Sequence, residues 1–147
     1  MSEYLPPKID WVRKHVEAYE GSGGTKATTL RDTGMPCIIV THKGGKTGAV
    51  RKIPLMRVKV DQSYVLIGSM GGQPKNPVWV YNLRAHPDVE IRDATEVTSM
   101  VVREVFDADE RAALWLASAD AFPPYNDYQA KTDRLIPVFV AEPATKT

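Results

Sequence analysis

The sequence predicts a mainly antiparallel β protein of the α+β class, in which a small barrel is flanked by helices. Short runs of alternating apolar residues recur along the chain, and brief turns join most of them, which is typical of neighbouring antiparallel strands. One helical pattern precedes these runs, and two others interrupt them. The order α-β-β-β-α-β-β-α-β favours a barrel with helices packed outside it. The length of 147 residues suits one domain, which we expect to span residues 1–147.

The first element is predicted to be a helix over about residues 8–20. Apolar and aromatic residues recur on one of its sides at helical spacing: Trp11, Val12, His15, Val16 and Tyr19. Asp10 is a candidate N-cap. The stripe is wide enough to pack the helix on a barrel, and we expect His15 to pack rather than to bind a ligand. The alternative is an interfacial helix that lies weakly on a membrane, anchored by Trp11 and Lys14.

Three predicted strands follow this helix. The first is PCIIVTH, residues 36–42, and the second covers residues 49–60. In the second, Val50, Met56, Val58 and Val60 fall on one face at a period of two. The third strand, SYVLIGS, comes after a short turn at residues 61–62.

The second half of the chain begins with a glycine loop and a short helix. Asn76 is the predicted cap of this helix, Pro77 its first residue, and the pattern ends before Pro87. Two strands then meet at a turn near residues 93–94. The segment DADERAALWLASADAF opens with a capping signal and predicts another helix. An irregular or briefly helical stretch precedes the last strand, IPVFVAE.

Composition excludes several classes of function. The formal net charge is +1, so no global basic excess indicates nucleic acid as a partner. Cys37 is the single cysteine, which favours a reducing compartment. No apolar run approaches the length of a membrane span, and the N-terminus lacks a secretory h-region, so we expect a cytoplasmic protein. The three histidines lack metal-ligand spacing, and no metal site is predicted.

The stretch THKGGKTGAVRKIPL, residues 41–55, contains a glycine turn. Within it, Gly45-Lys46-Thr47 matches the last three residues of the phosphate-binding P-loop motif. The full motif needs a glycine where Val40 stands, and it needs a helix where Pro54 and β-branched residues follow. We therefore predict a hairpin and reject a nucleotide triphosphatase. Turn N–H groups and nearby cations can still hold a phosphate, the cations being Lys43, Lys46, Arg51 and Lys52. An ordinary hairpin with a solvated basic face is the simpler alternative.

Two further segments carry candidate site residues. Ser69 ends a strand beside the double glycine of GSMGGQPKNPVWVYNL. In AFPPYNDYQAKTDR, Phe122, Tyr125 and Tyr128 are spaced by three, which places their rings along one helical face or one lip of a cleft. Aromatic walls with a few polar tips suit a flat ring ligand, while packing in the core is an equal alternative.

These segments together resemble the deazaflavin-dependent nitroreductase family, an actinobacterial group of oxidoreductases that use coenzyme F420. The motifs that carry the likeness are LRDTGMPCIIVTHKGGKTG with VRKIPLMRV, GSMGGQPKNPVWVYNL with AHP, and PPYNDYQAKTDR with IPVFV. The likeness runs from about Trp11 to Pro143. It implies a split β-barrel of the kind shared with flavin-binding pyridoxamine-phosphate oxidases, in agreement with the element order.

The resemblance also implies site residues. The hairpin is expected to grip the phosphate of the cofactor's tail through Lys46, Thr47 and Arg51. The residues expected near the ring system and along the cofactor cleft are Ser69, Met70, Gly71, Gly72, Lys75, Asn76, Pro77 and Trp79. Tyr125 and Tyr128 are expected to shape the substrate pocket. Together with Ser69 they are the candidate catalytic hydroxyl groups.

Two positions differ from the family pattern. Phe122 stands where the nitroimidazole-activating members have a tyrosine, and Met70 stands where a basic residue can follow the serine. Because Phe122 removes a polar contact, nitroimidazoles are expected to be poor substrates relative to quinones or enones.

The function that the resemblance implies is a reductase that passes a hydride from reduced coenzyme F420 to a small planar acceptor. Quinones, activated enones and some nitroaromatic compounds fit this description. The alternatives are an FMN-dependent split-barrel reductase, a carrier that binds the deazaflavin without turnover, and an interaction barrel without a ligand. The sequence does not indicate whether the chain is a monomer or a dimer.

Overall fold

The computed structural model describes residues 3–30 and 33–144. Residues 1–2 and 145–147 of the predicted domain, and Arg31 and Asp32 of the quoted motif, lie outside the described residues. In chain order the elements are α1 (Asp10–Gly21), β1 (Cys37–Lys43), β2 (Val50–Met56), β3 (Lys59–Val60), β4 (Ser63–Ile67), α2 (Val78–Ala85), β5 (Asp88–Asp93), β6 (Glu96–Glu104), α3 (Ala108–Ala121), α4 (Pro124–Ala130) and β7 (Val138–Pro143). A single 3-10 turn, Met70–Gly72, lies between β4 and α2.

The strands form one sheet in the order β2-β1-β5-β6-β7-β4-β3, and every neighbouring pair is antiparallel. The two edge strands, β2 and β3, are separated along the chain only by Arg57 and Val58. The sheet must therefore curl until its edges approach each other at this corner. The predicted class, an antiparallel barrel-like sheet with flanking helices, is confirmed.

The prediction of one strand over residues 49–60 is wrong, because β2 and β3 lie at opposite edges of the sheet. The Arg57 N–H donates to the Pro36 carbonyl at 3.0 Å, and the Arg57 guanidinium pairs with Asp93 at 2.8 Å. Val58 is buried, and its carbonyl accepts from the Val65 N–H at 2.8 Å. The backbone thus leaves one edge at Arg57 and joins the other at Val58. The alternation of apolar residues continues through this corner and gives no sign of it.

The interior of the curled sheet is filled by apolar side chains from β1, β4, β5, β6 and β7. One side of this core is closed by α2, whose buried face consists of Trp79, Val80 and Leu83. The Trp79 and Phe139 ring centroids lie 5.9 Å apart. A second cluster surrounds Tyr125 and joins α4 to the sheet. Helices α2 and α4 are therefore fixed relative to the sheet by apolar burial.

Helix α1 packs on the barrel as predicted, and the structure shows that Val16 and Tyr19 make this contact with β1. The Tyr19 hydroxyl donates to the Cys37 carbonyl at 3.0 Å and accepts from the Ala94 N–H at 2.7 Å. His15 packs here too, with Nε2 at 2.8 Å from the Ala27 carbonyl. This side of the helix therefore has a partner within the chain. No helix in the described part of the chain is long and apolar enough to cross a membrane.

Two of the three predicted helix caps are wrong. The α1 N-cap is Ile9, because the Asp10 carboxylate pairs instead with Arg13 at 2.6 Å. Helix α2 begins at Val78 with Pro77 as its cap, because the Asn76 amide is engaged by Arg134 at 2.7 Å. The third prediction is confirmed: the Asp107 carboxylate accepts from the Glu110 N–H at 2.9 Å and caps α3.

Candidate functional site

A cleft of about 870 Å³ lies against β2, between α1, α2 and α4. Its lining includes Arg51 to Met56 of β2, Ser69 to Gly71 after β4, and Pro77 to Trp79 at the start of α2. This volume lies within the range of small-molecule and cofactor sites. The charged residues among its described lining are Lys8, Arg51 and Lys52, with no carboxylate. The cleft therefore favours an anionic ligand, although the whole chain is close to neutral.

The aromatic wall of the cleft is formed by Phe122, Tyr125 and Tyr128. Their ring centroids are 5.1 Å apart for Phe122 and Tyr125, and 6.2 Å apart for Tyr125 and Tyr128. The three rings thus line one lip, and they also belong to the second core cluster. Their spacing predicted either a cleft lip or core packing, and these three residues do both.

The hydroxyl groups of Tyr125 and Tyr128 make no hydrogen bond within the described residues, so both are available to a ligand in the cleft. Tyr125 is 5% exposed. Burial, with a smaller contribution from Tyr128, raises the pKa of Tyr125 above its ordinary value. The Tyr125 hydroxyl is therefore a neutral hydrogen-bond donor at physiological pH.

Ser69 precedes a tight turn whose backbone bends in the left-handed region. Met70, Gly71 and Gly72 have φ angles of 47°, 64° and 79°. Gly72 approaches α4 so closely that an added Cβ would lie 2.6 Å from the Tyr128 carbonyl oxygen. Ser69 is 8% exposed, and its hydroxyl lacks a partner within the described residues. The turn thus presents a free hydroxyl to the cleft and packs its glycine against the aromatic wall.

Arg134 holds this turn, and sequence reasoning missed its role. Its guanidinium donates to the Ser69 carbonyl at 2.6 Å, to the Gly68 carbonyl at 3.1 Å and to the Gln73 carbonyl at 2.8 Å. A further bond reaches Asn76 Oδ1. The chain after α4 is thereby tied to both sides of the Ser69 turn. The arginine stands in a quoted motif, PPYNDYQAKTDR, but neither its spacing nor its type indicates what it contacts.

The glycine hairpin between β1 and β2 is confirmed, and its cations differ in their surroundings. Arg51 lines the cleft and makes no hydrogen bond or ion pair within the described residues. Lys52 is paired with Glu20 of α1. Lys46 and Thr47 are exposed outside the described cleft lining, and the Thr47 hydroxyl accepts from the Ala49 N–H at 3.1 Å. Arg51 is therefore the hairpin cation best placed for an anion in the cleft.

The structure places part of the predicted site in the cleft. The predicted residues among its lining are Arg51, Ser69, Met70, Gly71, Pro77, Trp79, Tyr125 and Tyr128, together with Phe122. Outside the lining are Lys46, Thr47, Gly72, Lys75 and Asn76. The basic face expected of an ordinary hairpin is not fully solvated, since Arg51 lies with Ile53 and Leu55 in the cleft wall. Within the described residues no group of His, Cys, Asp or Glu could hold a metal ion.

A family model described as F420H(2)-dependent quinone reductase matches residues 11–143. The chain belongs to the F420H(2)-dependent quinone reductase family. An F420H(2)-dependent quinone reductase of Mycobacterium tuberculosis is 32% identical over 135 residues, which make up 90% of this chain and 89% of the relative. These findings agree with the resemblance drawn from the sequence motifs. The family is one of F420-dependent reductases, so the protein is an enzyme of this class with F420 as its cofactor and quinone reduction as its reaction.

Solved structures place this reductase among similar folds. One described as an F420-H2 dependent reductase has a TM-score of 0.69 at 42% identity, covering 73% of this chain and 94% of its own. Another, described as a domain-swapped dimer, has a TM-score of 0.71 at 40% identity, covering 90% and 98%. A candidate pyridoxamine 5'-phosphate oxidase of Listeria innocua has a TM-score of 0.53 at 9% identity, covering 74% and 84%, and so shows the fold alone. The predicted split barrel is confirmed.

The cleft of this F420H(2)-dependent quinone reductase family member fits its cofactor in charge and shape. F420 combines a flat ring system with an anionic phosphate tail. The unpaired Arg51 and the lack of carboxylates in the described lining suit the tail. The aromatic wall and Trp79 suit a flat ring. An acid-lined or fully polar cleft would have argued against this cofactor.

Proposed function

We propose that the cleft is the reaction site, and that it holds the tail of F420 at Arg51 and a planar acceptor against Tyr125 and Tyr128. The observation that carries this proposal is the distribution of unpaired groups. A cation without a partner lies in the β2 wall, and two phenolic hydroxyls without partners lie in the α4 wall of the same cleft. Such an arrangement can bind an anion and a polarised ring side by side.

The residues proposed to bind the cofactor are those expected from the sequence: Lys46, Thr47, Arg51, Ser69, Met70, Gly71, Gly72, Lys75, Asn76, Pro77 and Trp79. Reduced F420, when bound, supplies a hydride from the carbon that replaces the flavin N5. Lys46 and Thr47 would extend the anion site beyond the cleft mouth, where they are exposed. Gly72, Lys75 and Asn76 would act on the cleft through the turn that Arg134 holds.

The hydroxyl groups of this chain would act on the acceptor. When a quinone accepts a hydride, negative charge develops on one of its oxygens, and a proton must follow. Tyr125 can donate a hydrogen bond to that oxygen, because its hydroxyl is protonated and unpaired. Ser69 and Tyr128 are the other candidate donors. Solvent at the cleft mouth can supply the final proton, so no side chain needs to lose its own.

The acceptor range is proposed to extend from quinones to activated enones and to some nitroaromatic compounds. We expect quinones and enones to oxidise reduced F420 rapidly in the presence of the protein, and nitroimidazoles to do so poorly, because Phe122 offers no hydroxyl. Stopped-flow absorbance of the reduced cofactor measures this directly. NADH and NADPH serve as control donors and should not substitute. Tight binding of F420 without faster oxidation by any acceptor would instead indicate a carrier.

Arg51→Ala is expected to weaken F420 binding by about 1–3 kcal/mol, since a charge-assisted bond to the phosphate is lost. Fluorescence quenching on titration with the cofactor gives the dissociation constant. Lys43→Ala is the matched control, because it removes a cation of the same hairpin that lies outside the described cleft lining. Equal losses for both variants would indicate a general charge effect and would contradict a local phosphate site.

We propose a reducing cytoplasm as the compartment. Cys37 is buried, and burial raises the pKa of its thiol to about 12. A thiol that stays protonated and enclosed is inert toward oxidants. The proposal rests on the single cysteine of the sequence.

A further inference from the structure

His42 is a buried polar side chain in the cleft wall to which none of the roles above is assigned. It is 4% exposed and lies on β1 directly opposite Arg51 of β2. Residues opposite each other in an antiparallel pair project from the same face of the sheet. Both line the cleft, together with Asn82 of α2. The three side chains form what we call the polar end of the cleft.

The hydrogen bonding of His42 determines which nitrogen carries its proton. Nδ1 lies 3.2 Å from the Val40 carbonyl oxygen. A carbonyl oxygen only accepts, so Nδ1 must donate, and Nε2 of the neutral ring carries a lone pair. Burial lowers the pKa of His42 to about 4, and the nearby charge of Arg51 acts in the same direction, against the bond to Val40. The ring is therefore neutral at physiological pH, and Nε2 can only accept.

The lone pair on Nε2 has no partner within the described residues. Among the described residues, the one fully buried side-chain nitrogen or oxygen without a hydrogen bond is Arg92 Nε, so His42 Nε2 borders open space. His42 lines the cleft on one side and a smaller hollow of about 290 Å³ on the other. Any hydrogen-bond donor that reaches this space, water or a ligand hydroxyl, can satisfy this nitrogen.

The neighbours of His42 at the polar end are donors. Arg51 has an unpaired guanidinium. The Asn82 Oδ1 accepts from the Gly45 N–H at 2.9 Å, which leaves the amide NH2 of Asn82 free to donate. A phosphate can accept from Arg51 and Asn82, but a phosphate that carries no proton has nothing to donate to His42. The polar end therefore matches a phosphate that has a hydroxyl beside it.

We propose that His42 is a cofactor-binding residue whose Nε2 accepts a hydrogen bond from a ribityl hydroxyl of F420, next to the phosphate at Arg51. This inference rests on the proposed function, because it takes the cleft as the F420 site. Arg51 and His42 would then contact different parts of the cofactor tail. Arg51 recognises the phosphate, and His42 recognises the sugar-alcohol chain that leads to the ring.

The two assignments separate when two ligands are compared. F420 has both the ribityl chain and the phosphate, whereas 8-hydroxy-5-deazariboflavin has the ring and the ribityl chain without a phosphate. We expect His42→Leu to raise the dissociation constants of both ligands by about 5- to 20-fold. His42→Gln keeps an accepting oxygen and should lose less. Arg51→Ala should weaken F420 alone. Fluorescence quenching measures each constant, and thermal unfolding confirms that each variant is folded.

An unchanged affinity of folded His42→Leu for 8-hydroxy-5-deazariboflavin would overturn the proposal, since Nε2 would then face the smaller hollow. A loss confined to F420 would also overturn it, because the contact would lie on the phosphate side. Failure of the proposed function looks different. In that case Arg51→Ala would leave F420 affinity intact, or neither ligand would be sensitive to any of the three variants.

Discussion

Tyr125→Phe is expected to slow hydride transfer to a quinone by about 10²–10³-fold while the affinity for F420 stays the same. The substitution removes one hydroxyl and keeps the ring, so the packing with Phe122 and Trp115 is retained. The lost hydrogen bond would act chiefly on the charge that develops on the acceptor oxygen during the reaction. Single-turnover oxidation of the reduced cofactor isolates this step from product release.

The environment of Tyr125 makes a large effect reasonable. Its hydroxyl lies at a buried wall, where an electrostatic interaction is weakened less by water than at the surface. The raised pKa keeps the proton on the oxygen across neutral and moderately alkaline pH. The donor is therefore in place before the reaction begins, and no reorganisation is needed when charge appears.

Tyr128→Phe is the matched control, because it removes the same group from the neighbouring ring of the same wall. A smaller decrease for Tyr128→Phe would identify Tyr125 as the principal donor. Two results together would refute a role of the Tyr125 hydroxyl in charge stabilisation. The Tyr125→Phe enzyme would transfer the hydride at the normal rate, and the Tyr125→Ala enzyme would have a raised KM for the quinone. That pair of results would assign Tyr125 to pocket shape alone.

Gly72→Ala is expected to lower the free energy of unfolding by about 2–4 kcal/mol. This loss is the sum of two costs, the strain of an alanine in the left-handed region and the overpacking that its Cβ causes. The φ angle of Gly72 is 79°, and the added Cβ would lie 2.6 Å from the Tyr128 carbonyl oxygen. Either the Ser69 turn or α4 must move to relieve this clash. Chemical denaturation measures the loss, and the KM for quinone should rise because the aromatic wall is displaced.

The adjacent glycine offers a close control for Gly72. Gly71 also has a positive φ, of 64°, but no atom lies within 4 Å of an added Cβ. Gly71→Ala should therefore cost only the backbone strain, about 1–2 kcal/mol. If both variants lose the same stability, the contact between the turn and α4 is not the reason for the glycine at position 72.

Local periodicity in the sequence was enough to predict most elements of this fold. The first helix, the hairpin at residues 93–94 and the Asp107 cap depend on neighbours within a few positions, so their signals are local. The corner at Arg57 could not be predicted, because the partners that hold it, Pro36 and Asp93, lie 21 and 36 residues away in the sequence. The alternating pattern on either side of the corner is the same as that of an unbroken strand.

The sequence predicts some residues of the candidate site and gives no sign of others. The aromatic wall could be predicted because Phe122, Tyr125 and Tyr128 follow one another at a spacing of three residues. The different roles of the hairpin cations could not be predicted. Only the fold shows that Glu20, 32 residues earlier, neutralises Lys52, whereas Arg51 has no partner within the described residues. Arg134 and His42 belong to no periodic set. Their surroundings are created by segments brought together in folding, and a single sequence carries no local mark of them.

The position of β7 has a consequence for synthesis of the chain. Of the strands in the described sheet, β7 is the last to be synthesised, yet it lies between β4 and β6 and pairs with both. Until residues 138–143 emerge, β4 and β6 each present an unpaired edge, and the hydrophobic residues that β7 supplies to both core clusters are missing. Nascent chains are therefore open to intermolecular strand pairing until β7 has emerged. A protein truncated before β7 should accumulate in inclusion bodies.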